Sequence, residues 1–267
     1  MANDLAGRTD VGCVRKENQD GVLAERFAAG TPQEVACVAV ADGMGGHEKG
    51  RQASERALAV LRERMASGFT DLDETAASQI LQDAHAKVSE LAEPGQTVGT
   101  TMTLALVKGR DVLIVHVGDS RAYRLDGDLC EALTEDHTYG NLARKKGEGD
   151  PNDKTLYQAI GVDHFIKPDV VRAKFDDGES LLICSDGLYK MVVEAGIANL
   201  ASRYPGAERA CEELVKAANY NGGRDNVAVA LMRFGRPPID KRVVFLVALI
   251  VGLVILIAAD QIFGGIG

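Results

Sequence analysis

Apolar and polar positions along the chain fall into two kinds of run. Short, nearly unbroken apolar stretches of strand length occur at 35–41 (VACVAVA), 100–107 (TTMTLALV), 111–117 (DVLIVHV), 180–185 (SLLICS) and 226–234 (NVAVALMRF). Unbroken apolar character is what strands covered on both faces require. Between the first two runs, apolar residues recur at helical spacing near 50–66 (ERALAVLRERM) and near 73–92 (ETAASQILQDAHAKVSEL), which predicts two amphipathic helices. More helix is expected after Asp186 and after Pro205. Asp126-Gly127, between RAYRL and DLCEAL, is a hairpin signal. The strands cluster instead of alternating with helices, so the pattern predicts an α+β domain with largely antiparallel sheets.

The last apolar run is of another kind. Val243 to Ala259 is seventeen residues without a polar side chain, preceded by Arg236, Lys241 and Arg242. As a helix it spans roughly 25 Å, the lower end of what a bilayer needs. A buried core helix usually keeps a polar position, and this run follows a domain that has already closed. The expectation is therefore one C-terminal transmembrane helix at 243–259, a linker at 235–242 containing Pro237 and Pro238, and a short tail at 260–267. Lys241 and Arg242 on the cytoplasmic side send only that tail across. The domain 1–234 is thereby expected at the cytoplasmic face of the cell inner membrane, as a single-pass protein.

Composition adds three constraints. With 46% hydrophobic and 26% charged residues in 267, a core for one domain is available. The formal charge of -9 comes from scattered acidic residues, which argues against a nucleic-acid surface and leaves cation binding open. Five cysteines (Cys13, Cys37, Cys130, Cys184 and Cys211) form no Cys-x-x-Cys pair, so free thiols in a reducing compartment are expected. The N-terminus, MANDLAGRTD, carries no secretory pattern.

The chemistry stands at the strand ends. VACVAVA runs into Asp42-Gly43, DVLIVHV into Gly118-Asp119, SLLICS into Asp186-Gly187, and Gly222-Gly223-Arg224-Asp225-Asn226 introduces the last strand. Asp20 closes the earlier VRKENQD. One strand-end Asp-Gly is ordinarily a turn, but four in one chain are hard to explain so. Converging carboxylates repel, by roughly 4 kcal/mol for a pair about 4 Å apart at an effective dielectric near 20, and divalent cations relieve this. An all-oxygen set without His-x-x-x-His or paired cysteines favours Mg²⁺ or Mn²⁺. Two such ions activate a water for in-line attack, a chemistry suited to phosphate esters. Other phosphate-hydrolysing routes are excluded. No cysteine is followed by Arg at the spacing a cysteine nucleophile needs. Asp71-Leu72-Asp73-Glu74-Thr75 matches the aspartyl-phosphate string of haloacid dehalogenase-type enzymes but lacks a strand before it, so Asp71 is read as a helix N-cap.

Seven ordered segments, TDVGCVRKENQD (9–20), VADGMGGHEKG (40–50), VGTTMTLALV (98–107), VGDSRAY (117–123), LTEDHT (133–138), LLICSDGL (181–188) and GGRDNVAV (222–229), resemble the motifs of type 2C metal-dependent protein phosphatases in their bacterial form. The resemblance runs from about residue 5 to residue 234. It implies a four-layer αββα sandwich with a metal site at one end of two antiparallel sheets, holding two Mn²⁺ or Mg²⁺ ions per subunit and a third, weaker one. Position by position it implies that Asp42 bridges both metals and Gly43 lends its carbonyl. Asp186 and Asp225 complete the first metal's ligands, Asp20 orients metal-bound water, and Asp119 joins Asp186 at the third metal. Arg15 grips the substrate phosphate, a task a planar guanidinium suits. The implied partners are phosphoserine- or phosphothreonine-bearing proteins and a cognate kinase, with the enzyme a monomer.

Two positions depart from the family pattern. Met44 stands where some members carry a histidine that serves as general acid, leaving His47 and His137 as candidates, and Gln19 stands where some carry glutamate. The polar stretch between His137 and Pro168 takes the place of the family's flap; its Arg144, Lys145 and Lys146 are either contacts for acidic substrate residues or a solvated helix end. A catalytically dead scaffold and a hydrolase of small phosphate esters are the rival readings. No expected aspartate is missing, which disfavours the first.

Overall fold

A computed structural model of the protein describes residues 4–45, 48–69, 71–162 and 165–235. His47 and everything from residue 236 onward, including the expected membrane helix, lie outside the described residues. Among the described residues no helix is long and apolar enough to cross a membrane.

Eleven strands and six helices are formed by the described residues. One sheet has the order β1 (Asp4–Asp10), β11 (Val227–Arg233), β10 (Ser180–Cys184), β7 (Arg121–Asp126) and β8 (Leu129–Ala132). The other runs β2 (Asp20–Phe27), β3 (Val35–Met44), β5 (Met102–Lys108), β6 (Asp111–Val117) and β9 (Asp169–Lys174), with the two-residue β4 (Gly99–Thr100) on the end of β3. Every pairing is antiparallel.

The unbroken apolar runs make sense once the layers are known. Along β3, Val35, Cys37, Ala39 and Ala41 join a core shared with α1 (Glu48–Ala66) and α2 (Glu74–Ser89). Their neighbours Ala36, Val38 and Val40 point the other way, into a core shared with the second sheet. On that sheet Ala228, Ala230 and Met232 of β11 face inward. Val227, Val229 and Leu231 pack against α5 (Glu194–Arg203) and α6 (Ala207–Tyr220). Each central strand buries both faces, and the result is the expected helix–sheet–sheet–helix order. Two short helices complete it, α3 (Tyr139–Lys146) within the flap and α4 (Asp186–Tyr189) after β10.

Several local expectations are corrected. Strands β1, β2 and β9 were not visible as apolar runs because each leaves most positions partly open. The run at 100–107 is broken at Thr101, whose amide donates to the Asp42 carbonyl (2.8 Å). The N-cap of α2 is Asp73, which accepts from the Ala76 amide at 2.7 Å, not Asp71; Asp71 instead pairs with Lys108. All five cysteines are free, as expected.

Candidate metal centre

The two sheets bring the strand-end carboxylates to one mouth of the sandwich. Asp42 lies within β3, directly opposite Asp20, the first residue of β2. Its backbone is fixed on both sides: the Asp42 amide donates to Thr101 Oγ1 (3.0 Å), and its carbonyl accepts from Thr100 Oγ1 (2.9 Å) and the Thr101 amide. Gly43 follows where no side chain fits, since a Cβ there would stand 2.0 Å from the Gly50 carbonyl oxygen and 2.7 Å from that of Gln19. From the other sheet come Asp186, at the start of α4, and Asp225, just before β11. Gly187 keeps these two segments together, because a Cβ on it would meet the Asn226 carbonyl oxygen at 1.9 Å. Arg15, Asp42, Gly43, Asp186 and Asp225 line one cleft, with Gln19, Met44 and Asn226 among its other walls.

Two side chains without an assigned role in the sequence hold this cleft in shape. The buried Asn226 accepts the Gln19 amide on Oδ1 (2.9 Å) and donates through Nδ2 to the Val11 and Glu17 carbonyls (2.9 and 3.0 Å). It thereby fastens both ends of the loop that carries Arg15. Ser185, fully buried, donates to Asp20 Oδ2 at 2.6 Å and accepts the Ala228 amide at 2.8 Å, joining the sheets beneath the carboxylates. Asn226 was legible as part of GGRDN, but nothing in the spacing of either residue announced these contacts.

The charges are strongly coupled. Burial, then the negative charges of Asp20, Asp186, Asp119 and Asp225, hold the Asp42 carboxyl well above the usual carboxylate range. Burial likewise raises Asp20, against the Ser185 hydrogen bond and with Asp186 adding to the rise. Asp119 is pushed up to about 6 by burial and by Asp186, with Lys190 opposing. Cations of the chain itself flank the group. Arg15 Nη2 lies 2.8 Å from Asp225 Oδ2, and Lys190 Nζ is bonded to Asp186. With these pairings in place, no three His, Cys, Asp or Glu side chains among the described residues are grouped tightly enough to grip one ion. The donor set nevertheless fits hard divalent cations: it is all oxygen, several of its carboxylates repel one another in a buried setting, and the backbone cradle at Gly43 excludes any side chain. Asp119 stands to one side, its carbonyl held by the Tyr189 hydroxyl at 3.0 Å. Arg121, bidentate on Asp136 (2.8 Å each), lies over the Tyr189 ring at 3.8 Å.

His137 does not serve the mouth. It is 2% exposed, and its Nδ1 accepts the Gly118 amide (3.1 Å) and Gln158 Nε2 (2.8 Å). An N–H donor on Nδ1 places the ring proton on Nε2, which donates to Asp169 Oδ2 at 3.1 Å. This imidazole is a tie between the flap and the strand end before Asp119, which removes it as a general acid. In the flap, Lys145 pairs with Glu135, and Arg144 donates to the Pro151 carbonyl at 2.5 Å. Two of the three basic residues are thus engaged by the chain itself, in favour of the solvated helix end.

Comparison with known proteins agrees with this geometry. The Protein phosphatase 2C family matches residues 15–231. The chain is 34% identical over 242 residues to the serine/threonine phosphatase stp of Listeria innocua serovar 6a, covering 84% of this chain and 93% of that protein. Among solved structures, the PPM Ser-Thr phosphatase MsPP from Mycobacterium smegmatis in complex with cacodylate superposes with a TM-score of 0.74 at 34% identity, over 86% of this chain and 98% of that one. The catalytic domain of the serine threonine protein phosphatase PstP in complex with 2 manganese ions also gives a TM-score of 0.74, at 29% identity over 86% and 97%. A match spanning most of the chain and an identity above three in ten place the protein in the Protein phosphatase 2C family.

Proposed function

We propose that this chain hydrolyses phosphoserine and phosphothreonine in proteins at the mouth formed by Asp42, Gly43, Asp186, Asp225 and Arg15. The protein is a metal-dependent protein serine/threonine phosphatase of the 2C type. The observation that carries the site is the arrival of Asp42 from one sheet, backed by the buried Asp20 opposite it, and of Asp186 and Asp225 from the other at a single cleft with an exposed arginine on its rim.

Asp42 with the Gly43 carbonyl, Asp186 and Asp225 would hold two Mn²⁺ or Mg²⁺ ions, as many as the PstP complex holds of manganese. When bound, the metals supply charge compensation and a water of lowered pKa. Arg15 leaves Asp225 to clamp the incoming phosphate, two of whose oxygens a guanidinium can bind at once. Asp20, anchored by Ser185 and opposite Asp42 across the ladder, would orient water there. Asn226 keeps the Arg15 loop at the distance this requires.

Phosphorylated proteins as substrates imply a kinase that makes them. We further propose that residues 243–259 anchor the enzyme in the inner membrane with the phosphatase domain cytoplasmic, on the strength of their unbroken apolar character and the preceding Lys241 and Arg242. The test pairs phosphothreonine peptides with small phosphate esters, with and without EDTA, and follows full-length protein through carbonate extraction of membranes. Chelator-sensitive hydrolysis favouring peptides, and retention in the membrane pellet, are expected. Preference for small esters or hydrolysis indifferent to chelator overturns the first reading. Release by carbonate overturns the second.

A further inference from the structure

Lys190 is a residue beside the mouth that the phosphatase reading leaves without a task, and its place is specific. It sits one turn after Asp186, with its Nζ bonded to Asp186 Oδ2 and its side chain 34% exposed. The residue before it, Tyr189, ties the same segment to the backbone of Asp119. Lys190, Tyr189, Arg121 and Asp119 line a common cleft of about 210 Å³. Arg121 is committed to Asp136 and Arg144 to the Pro151 carbonyl, while Lys190 is bonded to the carboxylate of Asp186 itself.

We propose that the Lys190 ammonium occupies the cation position between Asp186 and Asp119, putting one positive charge there in place of a third divalent ion and leaving this enzyme with two metals. The proposal rests on the two-metal reading above. It follows from competition: an ammonium fixed to a carboxylate within the protein has no association entropy to lose, whereas a weakly held ion does.

The experiment is calorimetric titration of the full-length, EDTA-stripped protein with Mn²⁺ alone. Wild type should bind two equivalents. Lys190→Gln should bind a third, or bind its weakest ion at least about tenfold more tightly, and Lys190→Arg should behave as wild type. Adding Asp119→Asn to Lys190→Gln should abolish the gain. Equal stoichiometry and affinity in wild type and Lys190→Gln overturns the proposal while leaving the two-metal reading intact, and a gain that survives Asp119→Asn overturns it as well. If neither wild type nor Lys190→Gln binds Mn²⁺, the two-metal reading fails and takes this one with it.

Discussion

Asp20 and Asp42 face each other in register across the β2–β3 ladder, with Ser185 from the other sheet holding Asp20 at 2.6 Å. Both carboxyls lie above their ordinary range, through burial first and like charge second. In the metal-free protein such groups add stability below the usual carboxylate pKa and lose it as pH rises through their raised values. Mn²⁺ reverses that loss, so its increase in melting temperature should be larger at pH 8 than at pH 5. Binding should also release protons near neutrality, visible as a calorimetric heat that changes with the ionisation enthalpy of the buffer. A heat independent of buffer would mean that these carboxyls are already ionised.

Replacing either flanking carboxylate should separate chemistry from folding. In Asp186→Asn and Asp225→Asn the repulsion within the cluster falls, and each loses one partly exposed ion pair, to Lys190 or to Arg15. Circular dichroism and melting temperature should change little, while kcat drops by at least about a hundredfold, the upper end of what loss of even an outer metal-supporting group costs. Near wild-type turnover in either variant would remove that aspartate from the metal set.

Arg15→Ala should raise KM by more than it lowers kcat, because a phosphate clamp acts on bound substrate as well as on the transition state. The loss in kcat/KM should be about 10- to 100-fold, the size of a charge-assisted hydrogen bond. A fall confined to kcat would assign Arg15 to the chemical step instead.

Ser185→Ala removes both the donor to Asp20 and the acceptor of the Ala228 amide in a fully buried setting. A cost of about 2 kcal/mol in denaturant unfolding is expected, with weaker Mn²⁺ binding at pH 6, since Asp20 loses the bond that opposes its rise. Unchanged Mn²⁺ affinity would confine Ser185 to a structural role.

His116 gives a pH dependence of its own. It is fully buried between the sheets, bonded to Thr103 Oγ1 at 2.7 Å and to the Glu135 carbonyl at 3.1 Å, and burial lowers it to about 4. The unfolded chain therefore takes up a proton that the folded one refuses between pH 6.5 and about 4, and stability falls as pH drops through that window, by about 3 kcal/mol from this group. His116→Gln should flatten that part of the profile in denaturant titrations. An unaltered slope would assign the acid sensitivity to other groups.

The sequence shows the central strands because β3, β5, β6, β10 and β11 bury both faces and read as unbroken apolar runs. It hides β1 and β9 because half-open edge strands carry whatever polar residues solvent allows. The aspartates were visible for a related reason: a charge at the end of an apolar run stands out. Ser185 and Lys190 were not, since a serine closing a buried strand and a lysine on a helical turn are commonplace, and their roles arise only from partners 165 residues away in one case and from a charge cluster assembled by two sheets in the other. Met44 leaves the general acid unassigned, and the hydrogen bonds of His137 rule out the substitute proposed for it among the described residues.

Strand β11 begins beside Asp225 at the mouth and runs to Arg233, with Phe234 and Gly235 packed against the turn at Asp176–Gly178. Seven residues of extended chain carry the polypeptide roughly 23 Å from the carboxylates. Whatever is attached beyond residue 235 therefore pulls on the domain from the pole opposite its opening. Were the proposed anchor joined there, it would behave like the string of a kite: it would restrain how far the enzyme drifts but leave the catalytic face turned outward, free to meet phosphoproteins approaching from the other side.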